Sequence, residues 1–286
     1  MSKVIVTGAP GFIGAHVVER LLRAGYDVVA AGRDLGDVTD ASFWNGLPRA
    51  DHLIHLAGRS YVPDSWQSPA GFYSENITGG ALAIEYCRRA SAHLLFVSSY
   101  VYGTPKQLPI DEDHPLAPGS PYALSKVLVE QLCAFHAQAD QLPVTIVRPF
   151  NVFGPGQRRE FLIPAIIDQI KRGGDIHVKD MRPRRDFLYV EDLAAALELT
   201  LHSPGGLRVF NLGSGSSYSV AEVIDMAQSI AGTQLAIRCD DDIRQNEIAD
   251  VRADITRARA QLGWEPRNSL RMGLKLMLAG RCAEQS

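Results

Sequence analysis

Thr7-Gly8-Ala9-Pro10-Gly11-Phe12-Ile13-Gly14 decides how this 286-residue chain folds. The segment follows an apolar run at 4–6 and opens an amphipathic stretch at 12–24 that ends at Gly25. Strand, glycine loop and helix in that order build a phosphate-binding turn. Gly8 permits the tight exit from the strand, Gly11 lets the backbone approach a pyrophosphate, and Gly14 allows close helix–sheet packing. The helix N-terminus then offers free N–H groups and the positive end of its dipole. Glycine alone is a weak signal, because ordinary turns use it too. The strand–loop–helix context turns it into a dinucleotide site.

Outward from this loop the alternation continues. Strand patterns at 28–31, 52–57, 94–98 and 144–147 are interleaved with helical patterns at 70–89 and 122–139. That predicts an α/β fold, a Rossmann-type doubly wound parallel sheet, with ligands bound beyond the carboxyl ends of the strands. After about residue 150 the pattern loosens and Gly, Pro and Arg become more frequent. Helices are expected at 161–172 and 220–231, and strands at 187–190 and 209–212 that rejoin the first sheet. The expected organisation is a dinucleotide-binding domain over 1–152, rejoined by about 186–214. A smaller, interleaved C-terminal substrate lobe takes 153–185 and 215–286. No internal repeat or low-complexity segment interrupts it.

Composition narrows the class. Apolar residues make up 46% and charged residues 21%, as in soluble globular proteins. A net charge of −3 with no basic block argues against nucleic acid as a partner. No 18-residue apolar run is present, so no membrane span is expected. The N-terminal run is broken by Gly8, Pro10, Gly11 and Gly14, unlike a signal peptide, and a cytoplasmic protein is expected. Cys87, Cys133, Cys239 and Cys282 are scattered without ligand spacing, which predicts reduced thiols and no metal.

The end of the second strand bears on the cofactor. Where an NAD site usually places a carboxylate for the ribose 2′-OH, the register puts Gly32, followed by Arg33. Losing the carboxylate and gaining a guanidinium suits a 2′-phosphate, so NADP(H) is favoured; NAD(H) remains the alternative, with Asp34 in the acidic role.

Chemistry is carried by Tyr122 and Lys126, spaced i and i+4 and therefore on one helix face. A free phenol has a pKa near ~10, too high for easy proton exchange at neutrality, and a nearby ammonium lowers it. The pair predicts a general acid/base, with Lys126 also placed to bind ribose hydroxyls.

The spacing Gly8-x-x-Gly11-x-x-Gly14, with Phe12-Ile13 inside it, resembles the extended short-chain dehydrogenase/reductase family. In that light Asp37-Val38 is similar to the family's pair beside the adenine, Leu56-Ala57-Gly58 to its loop lining the cofactor, and Pro149 to a cofactor contact. Phe96-Val-Ser-Ser-Tyr-Val-Tyr-Gly103 resembles the SSxxVYG segment. The resemblance implies that Ser98 hydrogen-bonds the substrate carbonyl, with Ser99 the reserve choice and a substrate contact. Segments further on match members acting on nucleotide-activated sugars: 148–156 resembles RxxNVYGP, 185–192 RDFxYVxD, 210–213 FNxG and 262–266 LGWxP. These imply substrate contacts from Asn151, Arg185 and Arg244, and planar guanidinium forks suit a diphosphate. Arg182 and Arg184 read instead as surface salt bridges. The resemblance also implies a homodimer through the helices at 70–89 and 122–139.

Relatives of this kind include 4-epimerases, 4,6-dehydratases and 4-keto-6-deoxyhexose reductases. Ser99 and Tyr100 stand where a dehydratase carries an acid pair, which argues against dehydration. The segment at 59–66 is similar to that of reductases resembling GDP-4-keto-6-deoxymannose reductase, an activity of deoxysugar biosynthesis. The leading expectation is NAD(P)H-dependent reduction of the C4 ketone of a nucleotide-diphospho-4-keto-6-deoxyhexose. The alternative is an NAD-dependent nucleotide-sugar 4-epimerase. A non-catalytic NADP-binding regulator ranks third, since both Tyr122 and Lys126 are present.

Overall fold

A computed structural model describes residues 1–202, 205–240 and 248–280. Arg244 and Cys282 lie outside these residues. The chain opens with β1 (Lys3–Thr7), α1 (Phe12–Arg23) and β2 (Asp27–Ala31). A short helix α2 (Ala41–Gly46) leads to β3 (His52–His55). Then come α3 (Val62–Gln67), α4 (Pro69–Ala90), β4 (His93–Val97), α5 (Pro121–Ala139) and β5 (Val144–Pro149). Ser120 caps α5 by accepting from the Ala123 N–H, and Pro121 at the first helical position costs no hydrogen bond there.

β1 to β5 form a parallel sheet in the order β2-β1-β3-β4-β5, and β9 (Leu207–Leu212) adds at the β5 edge. The connection from β1 runs to β2 on one side and then returns to β3 on the other. The strand order therefore reverses at β1 and β3, and a crevice opens above their carboxyl ends. β1 is buried on both faces: Val4, Ile5 and Val6 are fully inaccessible. One face packs α1, α7 (Val190–Thr200) and Trp264 around Val4, Val6, Leu95 and Phe210; the other packs α4 and α5 around Ile5, Leu53, Leu94 and Ile146.

The second lobe has its own core. β6 (Asn151–Phe153), β8 (Arg184–Tyr189) and β10 (Ser217–Ser219) form a three-stranded sheet in the order β10-β8-β6. α6 (Leu162–Arg172), α8 (Val220–Ala231) and α10 (Leu270–Ala279) bury Ile163, Ile167, Val223, Ile224 and Leu274 against it. A two-stranded ladder of β7 (Ile176–Val178) and β11 (Ile237–Cys239) and the short helix α9 (Thr256–Leu262) complete the described elements. The strand expected at 209–212 joins the main sheet as β9. The one expected at 187–190 does not: as β8 it starts earlier and pairs β6 in parallel and β10 antiparallel. An apolar strand run carries no information about which sheet receives it, and here the short loop after β5 delivers β6 as its partner.

Candidate active site

The crevice between the two lobes is a cavity of about 860 Å³. Its floor is made by the carboxyl ends of β1, β3, β4 and β5, and its roof by the loop from 153 to 163 and Phe187 of the second lobe.

At one end lie Gly8, Gly11, Phe12, Ile13 and Gly14. Gly8 has φ +70°, and a Cβ there would lie 2.8 Å from the Ala57 backbone nitrogen. A Cβ on Gly14 would lie 2.2 Å from the Gly8 carbonyl oxygen, so any side chain at 14 would push α1 off the loop. Gly11 is exposed to the cleft and meets only the Gly8 carbonyl, at 3.1 Å. With the α1 N-terminus behind it, this is a cradle with bare backbone toward the ligand. It fits a dinucleotide pyrophosphate. Leu56, Ala57, Gly58, Asp37, Val38 and Pro149 line the same cavity. The Asp37 carboxylate accepts from the Thr39 N–H and hydroxyl, both at 2.8 Å, which holds it below the usual carboxylate range.

At the end of β2, Arg33 is 92% exposed along its side chain, and the Glu75 carboxylate is 3.8 Å away. Such a pair in water contributes little, so the guanidinium stands ready for another anion. Asp34 also bears on this point: a methyl group on Gly32 would lie 2.6 Å from its Oδ1. Both the cation and the carboxylate weighed from sequence therefore lie at the end of β2, and of the two Arg33 lines the cavity.

Tyr122, Lys126, Ser98 and Ser99 meet at the centre of the cleft. Lys126 Nζ donates to the Val97 carbonyl at 3.0 Å and lies 4.9 Å from the Phe96 ring centre. Burial lowers its ammonium to about 8, against the opposing pull of Glu130 and Cys133. The same nitrogen stands 6.0 Å from the centre of the Tyr122 ring. The ammonium, expected to draw the phenol down, does not dominate it here: burial pushes Tyr122 up, and the Ser99 hydroxyl beside it opposes. Tyr122 is thus a neutral phenol at neutral pH, able to give a proton. The buried Ser98 Oγ has no hydrogen-bond partner. An orphaned hydroxyl at this point is what a carbonyl oxygen of a ligand would satisfy.

The residues expected to contact a substrate are placed less closely as the sequence suggests. Asn151 lines the cavity, its Nδ2 donating to the Asp186 carbonyl at 3.2 Å. Arg185 is turned elsewhere. Its Nη1 donates to the carbonyls of Arg184 and Ile248, at 2.8 and 2.7 Å, and it is not part of the cavity wall. Arg182 and Arg184 pair with Asp180 and Glu222. In their stead the wall carries Arg59, Ser60, Gln157, Arg158 and Phe161. Arg59 stacks on Phe72 at 4.6 Å, and Phe72 meets Tyr122 edge to face at 6.4 Å. Arg158 stacks on Tyr61 at 5.2 Å, and Tyr61 also meets Phe161, so residues from both lobes close one end of the cleft. The only signal for 157–161 was a polar and aromatic stretch just before a helical pattern.

The family model of the NAD dependent epimerase/dehydratase family matches residues 4–213. A GDP-6-deoxy-D-mannose reductase from Pseudomonas aeruginosa is 34% identical over 97% of this chain and 96% of its own length. A UDP-glucose 4-epimerase from Lactobacillus helveticus is 32% identical over 93% of this chain and 92% of its own. Among solved structures, that of RMD from Pseudomonas aeruginosa complexed with NADPH superposes with a TM-score of 0.89 at 30% identity, covering 98% of both chains.

Proposed function

The chain belongs to the NAD dependent epimerase/dehydratase family, extended short-chain dehydrogenases/reductases acting on nucleotide sugars with NAD(P), and from that premise we propose that it reduces a nucleotide-diphospho-4-keto-6-deoxyhexose at C4 using NADPH. The observation that carries the reading is the exposed Arg33 at the end of β2, where a 2′-phosphate would be met. An exchangeable NADPH suits net reduction, because the cofactor must leave oxidised after each turnover.

The cofactor, when bound, supplies the hydride. Gly8, Gly11, Gly14 and the α1 N-terminus would hold its pyrophosphate, with Phe12 and Ile13 beside it. Asp37, Val38, Leu56, Ala57, Gly58 and Pro149 would enclose its adenosine and nicotinamide ends. Ser98 donates a hydrogen bond to the C4 carbonyl oxygen, and Tyr122 gives its proton to the alkoxide as that oxygen gains charge. Lys126 orients the ribose and keeps a positive charge next to the phenolate that forms. Asn151 and Arg158 would hold the nucleotide sugar from the other side, with Ser99 contacting it beside Tyr122. We take the protein to act as a cytoplasmic homodimer through α4 and α5, where Leu124 and Phe135 stand exposed on the outer face of α5.

Asp34 favours a second reading, a 4-epimerase retaining NAD, because its carboxylate reaches Gly32 where a 2′-OH would lie. Equilibrium binding separates the two. The reductase should bind NADPH at least about tenfold more tightly than NADH, a difference of about 1.4 kcal/mol. Preference for NADH, or NAD that co-purifies and resists dialysis, would favour the epimerase.

A further inference from the structure

Behind the proton-transfer group lies a buried ion pair that the reaction does not touch. Arg148 of β5 and Glu130 of α5 have side chains 7% and 4% exposed. Arg148 Nε is 3.1 Å from both Glu130 carboxylate oxygens, and Nη2 is 2.6 Å from Oε2. Nη1 donates to the Tyr102 hydroxyl at 2.9 Å and to the Glu112 carbonyl at 3.1 Å. The Tyr102 hydroxyl in turn donates to Asn211 Oδ1 at 2.5 Å, which ties in β9.

Two charges taken from water are costly, and replacing a buried pair with apolar residues is often neutral or stabilising. Fold stability is therefore a weak reason for this network. Its two ends supply a stronger one. Glu130 lies one helical turn beyond Lys126 on α5. Tyr102 closes the turn that begins at Ser98 and Ser99, and its ring is fully buried. We infer that the Glu130–Arg148–Tyr102 network is a positioning device. One guanidinium holds the helix carrying Tyr122 and Lys126 in register with the turn carrying Ser98 and Ser99. Lys126 Nζ on the Val97 carbonyl is the second tie between the same two elements. The inference rests on the acid role given to Tyr122 above.

Glu130 also faces the ammonium electrically. The groups around Lys126 are Tyr122, Glu130 and Cys133 of α5, His55 of β3, and the Val97 carbonyl and Phe96 ring of β4. Glu130 is the carboxylate among them, and its charge holds the ammonium up against burial.

The test is steady-state kinetics on the full chain, with NADPH and a 4-keto-6-deoxyhexose nucleotide and, for the epimerase reading, with UDP-glucose. Tyr102→Phe should lower kcat at least about tenfold and leave KM and cofactor Kd within about twofold; in a Tyr122→Phe background it should cause no further loss. Glu130→Gln should move the Lys126 limb of the pH–rate profile to lower pH by about half a unit or more. Two results would overturn the inference: Tyr102→Phe lowering Tm with kcat unchanged, or its loss multiplying undiminished in the double variant. The failures are separable. A Tyr122→Phe protein at full turnover strikes down the acid role and this inference with it; loss in Tyr122→Phe without loss in Tyr102→Phe strikes this inference alone.

Discussion

The two halves of the cleft are built on different principles. The cofactor half is made of strand ends and the loops that leave them directly: Gly8–Gly14 after β1, Gly32–Arg33 after β2, Leu56–Gly58 after β3, Ser98–Ser99 after β4. Each group sits within three residues of an element whose direction the parallel sheet dictates. The substrate half draws on the loop from 153 to 163, on Phe187 and on Arg59, and the contacts there are stacked cations and aromatics. Geometry in the first half follows from backbone, whereas in the second it depends on which side chain turns toward the cavity. Changes in the cofactor half should therefore abolish function, and changes in the substrate half should tune it.

The largest effect should come from Tyr122→Phe, which removes the acid and leaves the pocket. Turnover should fall about 10²- to 10⁴-fold with KM nearly unchanged. Next is Gly14→Ala, a backbone change in the cofactor half. The new Cβ would lie 2.2 Å from the Gly8 carbonyl oxygen. Such overpacking should cost about 1–3 kcal/mol in chemical denaturation and weaken cofactor binding as well.

Between the halves, Arg158 and Arg185 give the sharpest contrast. Arg158→Ala should raise KM for the nucleotide sugar by about fivefold to thirtyfold through loss of a charged contact of about 1–2 kcal/mol. Arg185→Ala should lower Tm and spare KM, because its Nη1 serves the carbonyls of Arg184 and Ile248. The reverse pattern would restore Arg185 as the diphosphate anchor.

The effect remotest from turnover is on stability against acid. His55 and His93 are buried and donate or accept within the sheet, to Thr7 and Thr145. Burial lowers them to about 3 and about 4. The unfolded chain then takes up protons below pH ~6.5 while the folded chain does not, so stability falls as pH falls from there toward 4. Each contributes about 1.4 kcal/mol per pH unit across that window. Asp186, whose carboxyl burial raises, works in the opposite sense. The slope lost in a His93→Gln variant, by urea denaturation between pH 6.5 and 4.5, isolates the histidine part.

Legibility from sequence follows the same division. The glycine loop, the i, i+4 pair and the strand alternation were readable because each is a local pattern with one backbone solution. β9 rejoined the sheet as its apolar run suggested, whereas β8 left it, since pairing partners are chosen by tertiary packing. Arg185 matched a motif, but its neighbours' carbonyls captured its guanidinium. Arg59 belongs to a motif-like segment that gives it no role, and its stacking on Phe72 needs a residue thirteen positions away, carried by α4. Glu130 and Arg148 were hidden for a further reason: a buried pair eighteen positions apart looks, in sequence, like two surface charges.

The central claim is net reduction of a C4 ketone with NADPH. Absorbance at 340 nm, followed while purified protein is mixed with NADPH and a nucleotide-diphospho-4-keto-6-deoxyhexose, tests it directly. One NADPH should be oxidised per sugar reduced, and Tyr122→Phe should abolish the signal. No NADPH consumption, together with interconversion of UDP-glucose and its C4 epimer on retained NAD, would contradict it.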